Sequence, residues 1–266
     1  MPRIALVIEY SGNHFHGWQR QLDLPSVQAT LEDAIQQIVK HRVVTVAAGR
    51  TDAGVHALNM VVHFDTEKNY PKEAFTFGVN HFLPPSIRIH QTYYLDENFH
   101  ARFSATYRRY HYLILNTATS SPLLADRVFW HPIPLNAEAM QAGADFIVGE
   151  QDFSSVRGKD CQAKNPIRTV HFCKVARQGD LIRIDIQANG FLHHMVRNIV
   201  GVLLKIGEGR RAPEWVQEVL AAKDRTVAGM NVPPGGLYFD EVGYPEAFGI
   251  KAQESASDWC FSPQVF

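Results

Sequence analysis

The chain lacks the marks of several protein classes. No run of about 18 apolar residues occurs in its 266, so no membrane span is expected. Cysteine is scarce. Cys161, Cys173 and Cys260 are an odd number with no CxxC spacing, which fits a reduced, cytoplasmic compartment and does not fit a disulfide framework or a zinc site. There is no GxxxxGK(S/T) and no GxGxxG loop, so no nucleotide cofactor is expected. There is no HExxH and no two-His-carboxylate pattern. His14 and His16 share a loop, and adjacent His193 and His194 on a helix point in different directions, so no metal is expected. Charge of one sign is also missing. The net charge is −1, unlike that of a protein that coats nucleic acid non-specifically. A local basic surface would still suffice to hold RNA. No segment is of low complexity, and the strand pattern that starts at residue 3 is too short and too charged for a signal peptide.

What is present is ordinary globular composition, 45% hydrophobic and 20% charged, in a length that fits one large or two small domains. Residues 3–10 alternate as a strand, with Ile4, Leu6, Ile8 and Tyr10 on one face. Residues 26–40 read as a helix with Val27, Leu31, Ala34, Ile35 and Ile38 inward and Pro25-Ser26 at its start. Strands over 43–48 and 57–65, a helix over 71–82 and a strand over 87–95 follow. Residues 97–106 then read as a link. The order of elements repeats: a strand over 107–116, a helix from Asn136 to about Val148, strands over 167–177 and 181–188 joined by Gln178-Gly179-Asp180, and a helix over 191–206 ended by Gly207. An added helix over 213–222 and a closing strand over 236–242 complete it. The fold class is therefore α+β: two ferredoxin-like β-α-β-β-α-β halves, residues 1–100 and 101–245, whose sheets join with an active-site cleft between them, and a tail over 246–266.

The stretch richest in chemistry is Gly49-Arg50-Thr51-Asp52-Ala53-Gly54-Val55-His56-Ala57, a polar loop between two strand-like runs. Glycines free the backbone on both sides of one guanidinium and one carboxylate. A tight turn in which Asp52 bonds its own backbone is one reading, and a reactive carboxylate on a rigid scaffold is the other. Basic residues cluster as Arg102, Arg108 and Arg109 with Phe103, Tyr107, Tyr110 and Tyr112 interleaved, then as Arg157, Lys159, Lys164 and Arg168, then as Arg210 and Arg211. Each cluster taken singly reads as a solvated face.

The loop resembles the GRTDAGVHA motif of the TruA-type tRNA pseudouridine synthases. Four further blocks follow the same family pattern in order. They are Tyr10-Ser11-Gly12 with Phe15-His16-Gly17-Trp18-Gln19 and Gln21, Phe99-His100-Ala101-Arg102-Phe103-Ser104-Ala105 with Arg108-Arg109-Tyr110-His111-Tyr112, Asn189 to Arg197, and Pro233-Pro234-Gly235-Gly236-Leu237. Ser11 stands in place of the usual Asp and Phe239 in place of the usual Leu. The resemblance covers residues 3–245. It implies that Asp52 is catalytic, that Arg197 is its ion-pair partner, and that Tyr110 lies against the uracil and takes the C5 proton. Arg50, Arg102, Arg109 and His56 are the expected substrate-binding residues. It also implies tRNA as substrate at uridines 38, 39 and 40 of the anticodon stem-loop, a homodimer, and no cofactor.

The chemistry asks little of the protein. The C1′–N1 bond breaks, the base turns, and C5 joins C1′. An ionised carboxylate can attack the sugar, attack the base or remove a proton from C2′, and a guanidinium nearby, from Arg50 or Arg197, keeps it ionised. No second carboxylate is marked as a partner for Asp52, which tells against glycosidase chemistry. The non-enzymatic alternative is an RNA-binding protein whose ferredoxin-like sheets stack bases on Tyr107, Tyr110 and Tyr112, although alternation puts Tyr107 on the other face from the remaining two. Asp52 argues against it, since a carboxylate facing phosphates repels them.

Overall fold

The computed structural model of the chain describes residues 2–159 and 161–251. In chain order its elements are β1 (Arg3–Tyr10), α1 (Val27–Val39), β2 (Val46–Ala47), β3 (His56–Asp65), a π-helical stretch Ala74–Val79 running into α2 (Asn80–Phe82), and β4 (Ile87–Leu95). Then come β5 (Tyr107–Leu115), β6 (Phe129–Trp130), α3 (Ala137–Asp145), β7 (Gly149–Asp152), β8 (Ile167–Gln178) and β9 (Leu181–Ala188). The chain continues with α4 (Met195–Gly207), α5 (Trp215–Ala222), α6 (Arg225–Ala228) and β10 (Leu237–Gly243).

Local chemistry sets most of these boundaries. The Ser26 hydroxyl accepts the Ala29 N–H at 3.3 Å and starts α1, and the Asn136 side chain does the same for Ala139 at 3.0 Å before α3. Three elements differ from the sequence expectation. The strand over 43–48 shrinks to β2 because the N–H of Thr45 donates to the Glu32 carboxylate at 2.8 Å and its carbonyl accepts from Gln28 at 3.1 Å, so neither is left for a ladder. The helix over 71–82 is largely π-helical. The Asn80 amide takes the Thr76 carbonyl at 2.6 Å, the acceptor an α-helix would have used. Helix α4 starts at Met195 rather than 191, because His194 sits at φ 61, a left-handed conformation that ends any helix running through it.

Contacts divide the chain into two compact units, Met1–Thr106 with Tyr238–Phe266, and Tyr107–Leu237. In the first unit β4, β1 and β3 pair antiparallel in that order. The far edge of β3 is shared. β2 pairs with its C-terminal half through Val46–His63 and Ala47–Val62. β10 pairs parallel with its beginning through Tyr238–His56 and Phe239–Ala57. That pairing is why β10, the last strand among the described residues, lies with the first unit. Both faces of β1 are buried, not one: Ala5 and Val7 are as covered as Ile4, Leu6, Ile8 and Tyr10. The second face is covered by the segment read as a link. Phe99 packs edge-on against Tyr244 and Phe248, and Tyr244 donates to the Ala101 carbonyl at 2.7 Å. Arg3 fixes this segment by pairing with both oxygens of Asp65 at 2.8 Å and donating to the carbonyls of Glu97 and Phe99 at 2.7 Å.

In the second unit β5, β9, β8 and β7 form an antiparallel sheet in that order, with β6 parallel to the outer side of β5. Helices α3 and α4 pack closely: a Cβ on Gly143 would come within 2.7 Å of the Ile206 side chain. The five residues expected inward on α4, Met195, Ile199, Val202, Leu203 and Ile206, are all buried. Of the expected tail over 246–266, a short turn Glu246–Phe248 is described, and residues 252–266 lie outside the described residues. No helix among the described residues is long and apolar enough to cross a membrane.

Candidate active site

The Asp52 loop leaves β2 and returns to β3, where β3 exchanges one edge partner for another. The backbone N–H of Val55 bonds the Asp52 carbonyl at 3.2 Å, and Gly54 at φ 78 supplies the positive φ of a type II turn. The loop thus does make the tight turn that its sequence allows. The turn uses the Asp52 backbone carbonyl, and the carboxylate sits on a half-buried residue beside exposed Arg50.

Two glycines of the Tyr10–Gln21 block lie against the loop's backbone. A Cβ on Gly12 would overlap the Val55 carbonyl oxygen, and one on Gly17 would stand 2.6 Å from the Thr51 oxygen. Gly17 is at φ 94, open to glycine and strained for other residues. Next to it, the Trp18 N–H donates to the Thr51 carbonyl at 3.0 Å, and the Tyr10 and Thr51 hydroxyls share a bond of 2.7 Å. His56 is buried at the loop's end. Its Nδ1 accepts the Gly12 N–H at 3.2 Å and its ring stacks on Tyr238 with centroids 4.7 Å apart. A ring so placed holds the loop from behind, and substrate contact expected of His56 has little surface to use.

A buried carboxylate ties this scaffold to α1. Glu32, 4% exposed, accepts at Oε1 from the Thr45 N–H, the Thr45 hydroxyl and the Gln28 amide, and at Oε2 from Arg20 at 2.9 Å. The Gln28 oxygen in turn accepts from the backbone of Arg20 at 3.0 Å. One carboxylate therefore fixes both the segment after Trp18 and the residue leading into β2. Sequence reasoning missed it. A Glu beside the apolar stripe of α1 reads as surface, and only its neighbours in space reveal its use.

Arg102 also belongs to the first unit. The backbone N–H groups of Arg102 and Phe103 both donate to the His100 Nδ1 at 3.2 Å, and the His100 amide is capped by Ser104 at 2.9 Å. The turn leaves the Arg102 guanidinium over the Phe103 ring, 5.5 Å from its centroid, with Phe103 itself 75% exposed.

The second unit carries Arg109, Tyr110 and Arg197. On β5, Tyr110 faces Ile186 and Arg109 faces Gln187, so alternation puts the two side chains on opposite faces of the sheet. Tyr110 is 9% exposed and meets Phe191 edge-on at 4.9 Å. Arg197 lies in the first turn of α4, where the helix dipole disfavours a cation. It is fixed there by donating from Nε to the Val232 carbonyl at 2.7 Å. Burial pushes the Tyr112 hydroxyl well above its ordinary pKa, and the Arg197 charge nearby pulls it partly back. That hydroxyl donates to the Pro233 carbonyl at 2.8 Å, so β5, the start of α4 and the Pro233 segment are one assembly.

A family model described as tRNA pseudouridine synthase matches residues 6–104 and 144–245. The chain belongs to the tRNA pseudouridine synthase family. Curated relatives span its length. The tRNA pseudouridine synthase A of Nitrosococcus oceani is 50% identical over 93% of this chain and 96% of its own. That of Colwellia psychrerythraea is 48% identical over the same shares. That of Coxiella burnetii is 47% identical over 94% and 96%. Among solved structures, a chain of a Cbf5-Nop10-Gar1 complex aligns with 75% of this chain and 54% of its own at 12% identity and a TM-score of 0.32, too low to bear on the fold. Within the synthase family match fall Arg50, Asp52, His56, Arg102 and Arg197, while Arg109 and Tyr110 lie between the two matched segments.

Proposed function

We propose that this tRNA pseudouridine synthase acts on uridines 38, 39 and 40 of the anticodon stem-loop, with Asp52 as the reacting carboxylate. The reaction is the isomerisation of uridine to pseudouridine in tRNA, and the chain is an isomerase. The N1–C1′ bond breaks, C5 bonds to C1′, C5 gives up its proton and N1 gains one, so nothing beyond the nucleotide and protons is exchanged. Asp52 attacks the sugar, attacks the base or takes a proton from C2′, and in each case it must be ionised. Arg197 pairs with it. Tyr110 lies against the uracil and receives the C5 proton. Arg50, Arg102 and Arg109 hold RNA phosphates, and His56 acts through the loop it supports. The β4–β1–β3–β2 order of the first unit supports a ferredoxin-like half. A homodimer in the cytoplasm completes the reading, since two copies double the basic surface at unchanged charge per chain.

The observation that carries this reading is the seating of the Asp52 loop, with glycines 12 and 17 against its backbone and the Trp18 amide on Thr51. A preorganised carboxylate on an otherwise mobile type of segment is what catalysis requires and passive binding does not. The test is a pseudouridine map of anticodon stem-loop RNA by carbodiimide derivatisation. Wild-type protein should mark positions 38–40, and Asp52→Asn should bind the RNA and mark none. Tyr110→Phe should keep affinity and slow turnover by about 10²–10⁴-fold. A folded Asp52→Asn that still forms pseudouridine would falsify the assignment.

A further inference from the structure

Four cations, Arg157, Lys159, Lys164 and Arg168, fall within the stretch 157–168 that leads into β8, with Asp160 as its one acidic residue. Elsewhere in this unit exposed Arg210 pairs with Glu208 and exposed Lys223 with Asp152. Among the described residues none of the four has such a partner, and Arg168 spends its hydrogen bonds on the carbonyls of Asn165 and Ile167. Lys159 and Lys164 are exposed.

The stretch is built onto the start of α4. The Gly158 N–H donates to the His193 carbonyl at 2.6 Å, and a Cβ on Gly158 would stand 2.7 Å from the His193 ring. Buried Asn198, one residue past Arg197, donates to the Val156 carbonyl at 2.8 Å. At the other end, Thr169 and Asn189 are joined by two bonds of 3.0 and 3.1 Å. Arg108 reaches the Asn189 carbonyl at 3.4 Å, and the Arg168 Nε lies 3.6 Å from where a Gly190 Cβ would be. The basic stretch and Arg108 thus flank the Asn189-Gly190 turn from which α4 and Arg197 follow.

We propose that Arg157, Lys159, Lys164 and Arg168 grip the phosphodiester backbone of a base-paired RNA stem beside the start of α4 that carries Arg197. The inference rests on the tRNA reading above and adds the surface that would hold the stem. Phosphate contacts fix register and orientation without reading sequence, which suits an enzyme that must accept neighbouring uridines in different stems. Each neutralised phosphate contributes about 0.7–0.9 to the slope of log affinity against log salt, or roughly a 3-fold loss of affinity per cation for a fourfold rise in salt.

The experiment measures binding of a fluorescent anticodon stem-loop RNA between 50 and 200 mM salt, with circular dichroism as a fold check. Lys159→Ala/Lys164→Ala should lower the slope by about 1.4–1.8. Lys159→Arg/Lys164→Arg should restore it, and Lys174→Ala/Lys223→Ala should leave it at the wild-type value. An unchanged slope in a folded Lys159→Ala/Lys164→Ala variant overturns the grip, and so does an equal fall in the Lys174→Ala/Lys223→Ala control. Pseudouridine formation by the wild type is followed in parallel. Its absence together with a lowered slope would reject the tRNA-modifying reading and leave the phosphate grip standing.

Discussion

Gly17 gives the sharpest test of how the Asp52 loop is held. Two costs arise in Gly17→Ala. The residue sits at φ 94, where a side chain costs about 1–2 kcal/mol. The new Cβ would also stand 2.6 Å from the Thr51 oxygen, 3.1 Å from the Asp52 carbonyl carbon and 3.2 Å from the Ala53 nitrogen. An ordinary contact begins at 3.4 Å, so the loop backbone must retreat by about 0.8 Å. Crowding of this kind costs about 1–3 kcal/mol. Gly149 separates the two terms: its φ is 102 and a Cβ there meets nothing within 4 Å. Gly149→Ala therefore carries the strain alone. At about 2–4 °C per kcal/mol, Gly17→Ala should melt several degrees below Gly149→Ala. The activities should separate further. A displacement near 1 Å at the reacting group costs on the order of 10²-fold, so kcat of Gly17→Ala should fall about 10–100-fold at little-changed KM. Gly149→Ala should turn over as wild type does. Calorimetry and single-turnover pseudouridine formation read the two effects. Equal melting points with full kcat in Gly17→Ala would refute the idea that this contact positions Asp52.

Two further outcomes follow from buried groups of the first unit. Glu32→Gln replaces an acceptor of four hydrogen bonds with a group that must also donate, opposite the Arg20 guanidinium. Breaking such a pair should cost about 3 kcal/mol in urea unfolding, the low end for a buried pair because Arg20 is partly exposed, and a loss below about 1 kcal/mol would show the network to be dispensable. His63 is held neutral, its pKa lowered to about 4 by burial first and then by the charges of Arg3 and His100. An unfolded histidine titrates near 6.5, so this contribution is complete above that pH and is lost as pH falls from about 6.5 to 4. It amounts to up to about 3 kcal/mol. Asp65, held below its ordinary range by Arg3, gives way only at lower pH. Urea midpoints at pH 7.5 and 4.5 should differ less in His63→Gln than in wild type, and an equal difference would place the acid sensitivity elsewhere.

The sequence was most legible where one local rule sufficed. Ser26 and Asn136 start their helices as side-chain caps should, and β4 and β9 occupy the expected stretches, 87–95 and 181–188. It misled where a distant group competed for a backbone bond. Thr45 was written in strand-like residues, yet Glu32 and Gln28 take its N–H and carbonyl. His194 sits inside an apolar helical pattern in a left-handed conformation that no periodicity signals. Short β6 and β7 went unseen, the first being only two aromatic residues and the second four residues with no apolar side chain to alternate. Among the candidate site residues, Asp52 and Arg197 are singled out by the motifs that contain them. The glycines at 12 and 17 were visible as letters, but their reason, a backbone passing within contact distance, exists only in three dimensions.

The discontinuity of the first unit also orders events during synthesis. Tyr238, against which the His56 ring rests, follows residues 107–237 on the ribosome. At about 5–20 residues per second, that insertion takes roughly 7–26 s to make. Through this interval β3 has no β10 along its first residues, and the Tyr238 ring that backs His56 does not yet exist. The loop-bearing sheet is begun first and finished last, so a nascent chain or a product truncated before residue 238 carries the whole GRTDAGVHA motif without the strand that completes its seat.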